Sequence, residues 1–159
     1  YANATIVMFS SILNSTGNWR TLMRGTNNDH QVIIQSGANT LGMYDNNLSG
    51  FLTAGFDITN IPNTYTTFNF LCWRLSQSSP YYQFQYNNNA TVYSITDANA
   101  TFNNGYACIG GYHNGNISTA AVDSSQYWGK ISSFYYYNRQ LSSSEISQNY
   151  SVFKNKFGL

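Results

Sequence analysis

The chain has 159 residues, of which 8% are charged and 17% aromatic, and its formal net charge is +1. Charge this sparse would suit a disordered chain only if aromatics were scarce too, and here there are 14 Tyr and 10 Phe. The composition reads as a folded domain with a real core, kept in solution by Asn, Ser, Thr and Gln. The seven Lys and Arg are scattered and leave no basic footprint for nucleic acid. No apolar run approaches the roughly 20 residues of a membrane span. There is neither an initiator Met nor a signal peptide at Tyr1, so the chain reads as processed, or as a fragment or C-terminal domain of a longer protein.

In chain order, residues 4–13 (ATIVMFSSIL) predict a strand that ends in an Asn- and Gly-containing turn. Residues 19–24 alternate and stop at Gly25. Residues 30–35 and 40–44 are two further strands, separated by Ser36-Gly37-Ala38-Asn39. Residues 50–57 form a strand with a glycine bulge, and residues 60–64, with Pro62, a loop. Residues 66–75 are apolar on both faces, with Phe68, Phe70 and Cys72 on one and Leu71, Trp73 and Leu75 on the other, which marks a central strand. Tyr82, Phe84 and Tyr86 alternate with Gln83 and Gln85, the pattern of a half-buried strand. Residues 90–95 and 106–111 are strands, and 112–126 a loop.

Residues 127–159 are a strand, a tight corner and one short helix. Tyr135-Tyr136-Tyr137 favours the strand. Ser142 is placed as N-cap, Glu145 three residues on as its capping-box partner, and Leu141 and Ile146 as a hydrophobic staple. Ile146, Tyr150, Phe153 and Phe157 share one helical face, expected to lie on the end of a sandwich. About ten short strands at regular intervals argue for an antiparallel sandwich rather than βαβ units. With no internal repeat and no linker, residues 1–159 are expected to be a single domain.

Cys72 and Cys108 lie in apolar strand-like segments, as buried thiols or as a bridge between neighbouring strands. Seven N-x-S/T sequons, at Asn3, Asn14, Asn47, Asn89, Asn99, Asn116 and Asn149, are about what 22 Asn with abundant Ser and Thr produce by chance.

The order of pieces resembles the concanavalin A-like (laminin G-type) jelly-roll domains found at the ends of phage tail and viral attachment proteins. FNFLCWRL followed by YYQFQYNNN resembles the family's central strand and hairpin, and TFNNGYACIGGY its strand ending in Ile-Gly-Gly. WGKISSFYYYNRQLSSSEISQNY resembles the C-terminal signature, and it is the specific segment. The resemblance implies an all-β, two-sheet jelly roll with one short C-terminal helix. Where the family carries Asp-Gly at its hairpin, this chain has Asn87-Asn88, so any role of that acid is lost. Such domains also begin some tens of residues earlier, so a first strand is expected to be missing or supplied by the preceding chain or a neighbouring subunit.

Glycoside hydrolysis needs two carboxylates about the scissile bond. The only Glu, Glu145, is accounted for as a cap, and the five Asp are dispersed. His30 and His113 have no G-x-S-x-G elbow beside them. The chain is therefore expected not to be an enzyme. Sugar binding asks for an aromatic face and a few amide or carboxylate groups. Tyr44-Asp45-Asn46 with Asn47 is one such loop, Tyr112-His113-Asn114 a second, and Asn28-Asp29-His30 a third. Trp128 opens a strand and reads as packing. Calcium is the one cofactor the loops would suit, through Asp29 and Asp45, although no EF-hand spacing is present. The expected function is a carbohydrate-binding, lectin-like module for a cell-surface glycan, placed extracellularly or on a virion surface such as a tail fibre, and able to form homo-oligomers. The alternative is a structural jelly roll of a capsid or fibre with no ligand of its own.

Overall fold

A computed structural model describes residues 3–14, 17–24, 30–45, 50–100, 108–110, 112–113, 122–123 and 127–157; for residues 30, 108, 112, 113, 122 and 123 it describes the backbone. Its strands are β1 (Asn3–Ile12), β2 (Arg20–Arg24), β3 (His30–Ile34), β4 (Thr40–Asp45), β5 (Gly50–Asp57), β6 (Asn69–Ser76), β7 (Tyr82–Tyr86), β8 (Tyr93–Ile95), β9 (Cys108–Ile109), β10 (Tyr112–His113), β11 (Val122–Asp123) and β12 (Gly129–Tyr137). One helix, α1 (Ser143–Phe157), follows. Two five-stranded antiparallel sheets, ordered β12-β1-β6-β7-β8 and β5-β4-β3-β2-β9, make the jelly-roll sandwich, and β10 and β11 pair separately.

The period of two along each strand divides the apolar residues between two cores. Ile6 and Met8 of β1, Leu71, Trp73 and Leu75 of β6 and Tyr82 and Phe84 of β7 meet Leu22, Val32, Ile34, Leu41, Met43 and Phe56 between the sheets. The polar tips of the buried aromatics are satisfied there. Trp73 Nε1 donates to the Tyr82 hydroxyl at 2.8 Å, and Trp128 Nε1 donates to Ser10 Oγ at 2.9 Å. Trp128 is thus a core residue, as its place before a strand suggested. β6 is the middle strand of its sheet, as its two apolar faces require.

The second core is where the fold differs from expectation. Val7, Phe9, Phe70 and Cys72 project from the outer face of the first sheet, and α1 covers them with Ile146, Tyr150, Phe153 and Phe157. The helix therefore lies across that face rather than on the end of the sandwich, because a sheet with two apolar faces needs a cover on both. Its start is built as the capping pattern reads. Ser142 N donates to Glu145 Oε2 at 2.8 Å, and Glu145 N donates to Ser142 Oγ at 3.3 Å. Arg139 grips the same carboxylate with both terminal nitrogens, at 2.7 and 3.0 Å. Thr5 pins the corner to β1: its hydroxyl donates to the Arg139 carbonyl at 2.8 Å and accepts from Leu141 N at 2.9 Å.

Three smaller departures have local causes. β8 is shorter than residues 90–95, because Asn89 Oδ1 takes the Thr91 N–H at 2.9 Å and removes it from the ladder. Residues 112–126 contain the β10–β11 pairing instead of only loop; two-residue strands carry no periodic signal. The bridge alternative for the cysteines is not realised. Cys72 is a free, buried thiol on β6, whereas Cys108 belongs to β9 in the other sheet, and burial pushes the Cys72 thiol up to about 12. The glycine bulge is present: Leu41 faces Phe56 while Gly42 faces Thr53, so Ala54 and Gly55 are extra, and Gly55 takes φ +73°.

Candidate functional site

Leu41 and Met43 of β4 point into the sandwich, so alternation sends Gly42 and Tyr44 to the outer face of the second sheet. Phe51 of β5 is directly opposite Tyr44. Its ring lies across Gly42, so closely that a Cβ there would come within 2.8 Å of Phe51 Cζ and would also meet the Leu52 carbonyl. Trp19, just ahead of β2, closes the group. Its ring stands edge-on to Tyr44 with centroids 5.2 Å apart, and tilted against Phe51 at 5.6 Å. All three residues are half-buried. β4, β5 and the residue just ahead of β2 thus contribute to one outward aromatic platform, with half-buried Asp45 at the end of β4 beside it.

Sequence reasoning ended the strand at Tyr44 and placed Asp45 in the turn beyond it, but β4 runs through Asp45. It passed over Trp19 and Phe51. The available signal was Gly42, a residue with no side chain at the centre of an apolar strand. A gap of that kind asks for a ring from a neighbouring strand.

The structure also brings one of the third group's residues to Tyr44, since His30 is its partner across β3–β4. Arg24 faces His30 on the other side, and Cys108 faces Arg24, so this row crosses the sheet at one end. Arg20, next to Trp19, is buried and held by the Asn14 carbonyl through Nε at 2.9 Å and Nη2 at 2.8 Å.

Tyr112 and His113 form β10, opposite Asp123 and Val122, in the small pairing that contacts β2. β3 and β2 stand between the strand of Tyr44 and β9. Asn28, Asp29, Asn46, Asn47 and Asn114 lie outside the described residues. Of the two calcium candidates, Asp45 is therefore the one with a described position. Among the described residues, no three or more His, Cys, Asp or Glu gather where they could hold a metal ion. Among those residues, too, no helix is long and apolar enough to cross a membrane.

No family model matches the chain, and none of the curated proteins matches it. Solved structures do. The native heptameric SAP-like pentraxin from Limulus polyphemus aligns with a TM-score of 0.58 at 15% identity, over 92% of this chain and 68% of that one. The binding domain of Paraclostridial Mosquitocidal Protein 1 aligns with a TM-score of 0.53 at 14% identity, over 98% of this chain and 38% of that one. The receptor binding domain of botulinum neurotoxin C/D mosaic serotype gives 0.50 at 14%, over 96% and 36%. The chain spans little more than a third of either toxin domain. At these identities the likeness shows the fold, which is a concanavalin A-like jelly roll.

Proposed function

We propose that this chain is a carbohydrate-binding, lectin-like module that takes a sugar ring on the Trp19, Tyr44 and Phe51 platform. The observation that carries the reading is the platform itself: three half-buried rings held against one another on the outside of a rigid sheet. Half-burial fixes each ring while leaving area for a ligand. A pyranose has an apolar C–H face suited to aromatic rings and hydroxyls suited to the Asp45 carboxylate and the Asn46 and Asn47 amides next in the chain. Tyr112 and His113 of β10, with Asn114 next in the chain, are a second candidate group, and calcium at Asp29 or Asp45 is an accessory.

The physiological partner in this reading is a cell-surface glycan, met outside the cell by a virus or phage appendage of which residues 1–159 are one domain. The resemblance of the C-terminal segment supports that setting. Two structural neighbours are the binding domain of a mosquitocidal protein and the receptor binding domain of a neurotoxin, which supports binding over catalysis. A glycan array, run with and without calcium, tests the proposal. Wild-type protein retains at least one glycan, and Trp19→Ala loses it while keeping its circular dichroism spectrum. An array at background for wild-type protein in both buffers overturns it.

One observation favours the assembly reading beside it. β12 is an edge strand of its sheet and exposes Tyr135 and Tyr136, at 37% and 43%, and edges with exposed aromatics suit a partner. Light scattering that finds a stable monomer at high concentration rules against it.

A further inference from the structure

The seven Lys and Arg are scattered along the chain, yet the fold sorts them. Arg20 and Arg24 are buried in the second sheet. The other five sit on the side of the first sheet that α1 covers. Arg74 alternates with Phe70 and Cys72 on β6 and so faces the helix side. Ser10 turns inward to Trp128, so Ser11 and its register partner Lys130 face outward. Arg139 stands at the corner between β12 and α1, and Lys154 and Lys156 lie in the last turn of the helix.

The flank of α1 next to β12 forms an exposed shoulder. Glu145, Asn149, Val152 and Lys156 follow at spacings of four, three and four, and so share one helical face. Asn149 Nδ2 donates to the Tyr137 hydroxyl at 3.3 Å, so that face looks toward β12. Val152 is exposed there, as are Tyr135 and Tyr136 of β12. Lys156 Nζ is 5.4 Å from the ring centroid of Phe157, which stacks on Phe9 at 4.4 Å, two residues before Ser11. Lys156 and Lys130 therefore meet at the same end of the helix. Lys154, two residues from Lys156, is on the opposite flank.

Charge on this side is of one sign. Among the described residues its acid is Glu145, and Arg139 neutralises that carboxylate through contacts at 2.7 and 3.0 Å. Arg74, Lys130, Lys154 and Lys156 remain. Asp45, Asp57 and Asp97, the other acids with described side chains, belong to β4, to β5 and to the turn after β8, at the sheet edge remote from β12.

A partner for this side must be anionic, and shape decides which kind. A linear polyanion is held in a groove that follows its backbone. Here the bases stand on both flanks of a helix that rises from a sheet, which is a convex surface. They are also spread along the roughly 22 Å of α1. Arg74 is beside its start, through Thr5, and the lysines are at its end. A plane of anionic headgroups reaches all four together. Exposed tyrosines suit the same boundary, where amphipathic rings are favoured.

We propose that this side of the domain docks on an anionic lipid bilayer, at headgroup depth and without insertion. The aromatic platform, on the outer face of the other sheet, then looks away from the membrane. The proposal does not rest on the sugar-binding reading, because the two faces are separate.

The test is flotation of the whole chain with vesicles of phosphatidylcholine alone and of equal parts phosphatidylcholine and phosphatidylserine, neither of which offers a sugar. Binding to the mixed vesicles at low salt is expected, fading as salt rises, with none to phosphatidylcholine alone. A lysine near an anionic surface is worth about fivefold in affinity. Lys154→Gln with Lys156→Gln is therefore expected to weaken binding about twentyfold with little change in melting temperature, since both side chains are exposed. Asp97→Asn, which raises the net charge far from the shoulder, is expected to leave binding unchanged. No binding to the mixed vesicles at low salt overturns the proposal, as do equal binding to both vesicles and undiminished binding by the double variant. A single-stranded oligonucleotide or heparin that binds more tightly than the mixed vesicles overturns it in favour of a linear polyanion.

Discussion

Phe9→Ala is the sharpest test of how the helix is held. Phe9 is fully buried although it faces away from the space between the sheets. Its ring centroid is 5.5 Å from Phe70, 5.1 Å from Phe153 and 4.4 Å from Phe157. Phe70 is its register partner on β6, so the ladder prevents that side from collapsing into the space left behind. Truncations of this kind in rigid surroundings cost about 3–5 kcal/mol. For a chain of this length each kcal/mol lowers the midpoint by about 2–4 °C, so a fall of about 6–20 °C is expected. Thermal and urea unfolding followed by far-ultraviolet circular dichroism measures it. The comparison is Val152→Ala on the same helix, where the side chain is 63% exposed and the change should stay within about 0.5 kcal/mol. If Phe9→Ala costs no more than Val152→Ala, the helix is not held by this face and the two-core account is wrong.

Three further outcomes follow from other contacts. Thr5→Val leaves the buried Leu141 N–H without its acceptor and should cost about 1–3 kcal/mol by urea unfolding, with Thr5→Ser recovering most of it. Glu145 is held at about 2, below its ordinary 4.5, first by its hydrogen bond to Arg139 and then by those to Ser142. A depressed carboxyl pKa stabilises the fold fully above about pH 4.5 and loses that contribution as the pH falls toward 2. Wild-type stability should therefore decline through that window, and Glu145→Gln should flatten the decline; equal slopes would refute the assignment. Gly42→Ala forces a methyl against the Leu52 carbonyl and the Phe51 ring. It should destabilise by about 1–3 kcal/mol and weaken any glycan retained on the array, because Phe51 must leave Trp19.

The fold was legible where one residue type has one physical use. Ser142 and Glu145 could satisfy each other only at a helix start, and the structure pairs them there. The two apolar faces of residues 70–75 required a middle strand with cover on both sides. What covers the outer face was not legible, because Phe9 and Phe153 are brought together by topology and not by spacing. The site was harder for the same reason. Tyr44 was visible as an aromatic next to Asp45, but the rings beside it come from β5 and from the residue ahead of β2. Trp19 looked like an ordinary member of an alternating strand, and Phe51 like the start of another.

The position of β1 has a consequence for how the chain acquires its shape. β1 lies between β6 and β12, and the hydroxyl of Thr5 bonds a carbonyl 134 positions further along. Such pairings close large loops before they repay the entropy, which makes for slow folding. While the chain is being synthesised, β1 can pair with β6 as soon as both have emerged, but its other edge stays open and Val7, Phe9, Phe70 and Cys72 stay wet until the final strand and helix appear. That interval is when the molecule is most prone to associate through the wrong edge. A scarcity of charge gives it little electrostatic protection, so dilute, slow refolding should recover more protein than concentrated, rapid refolding.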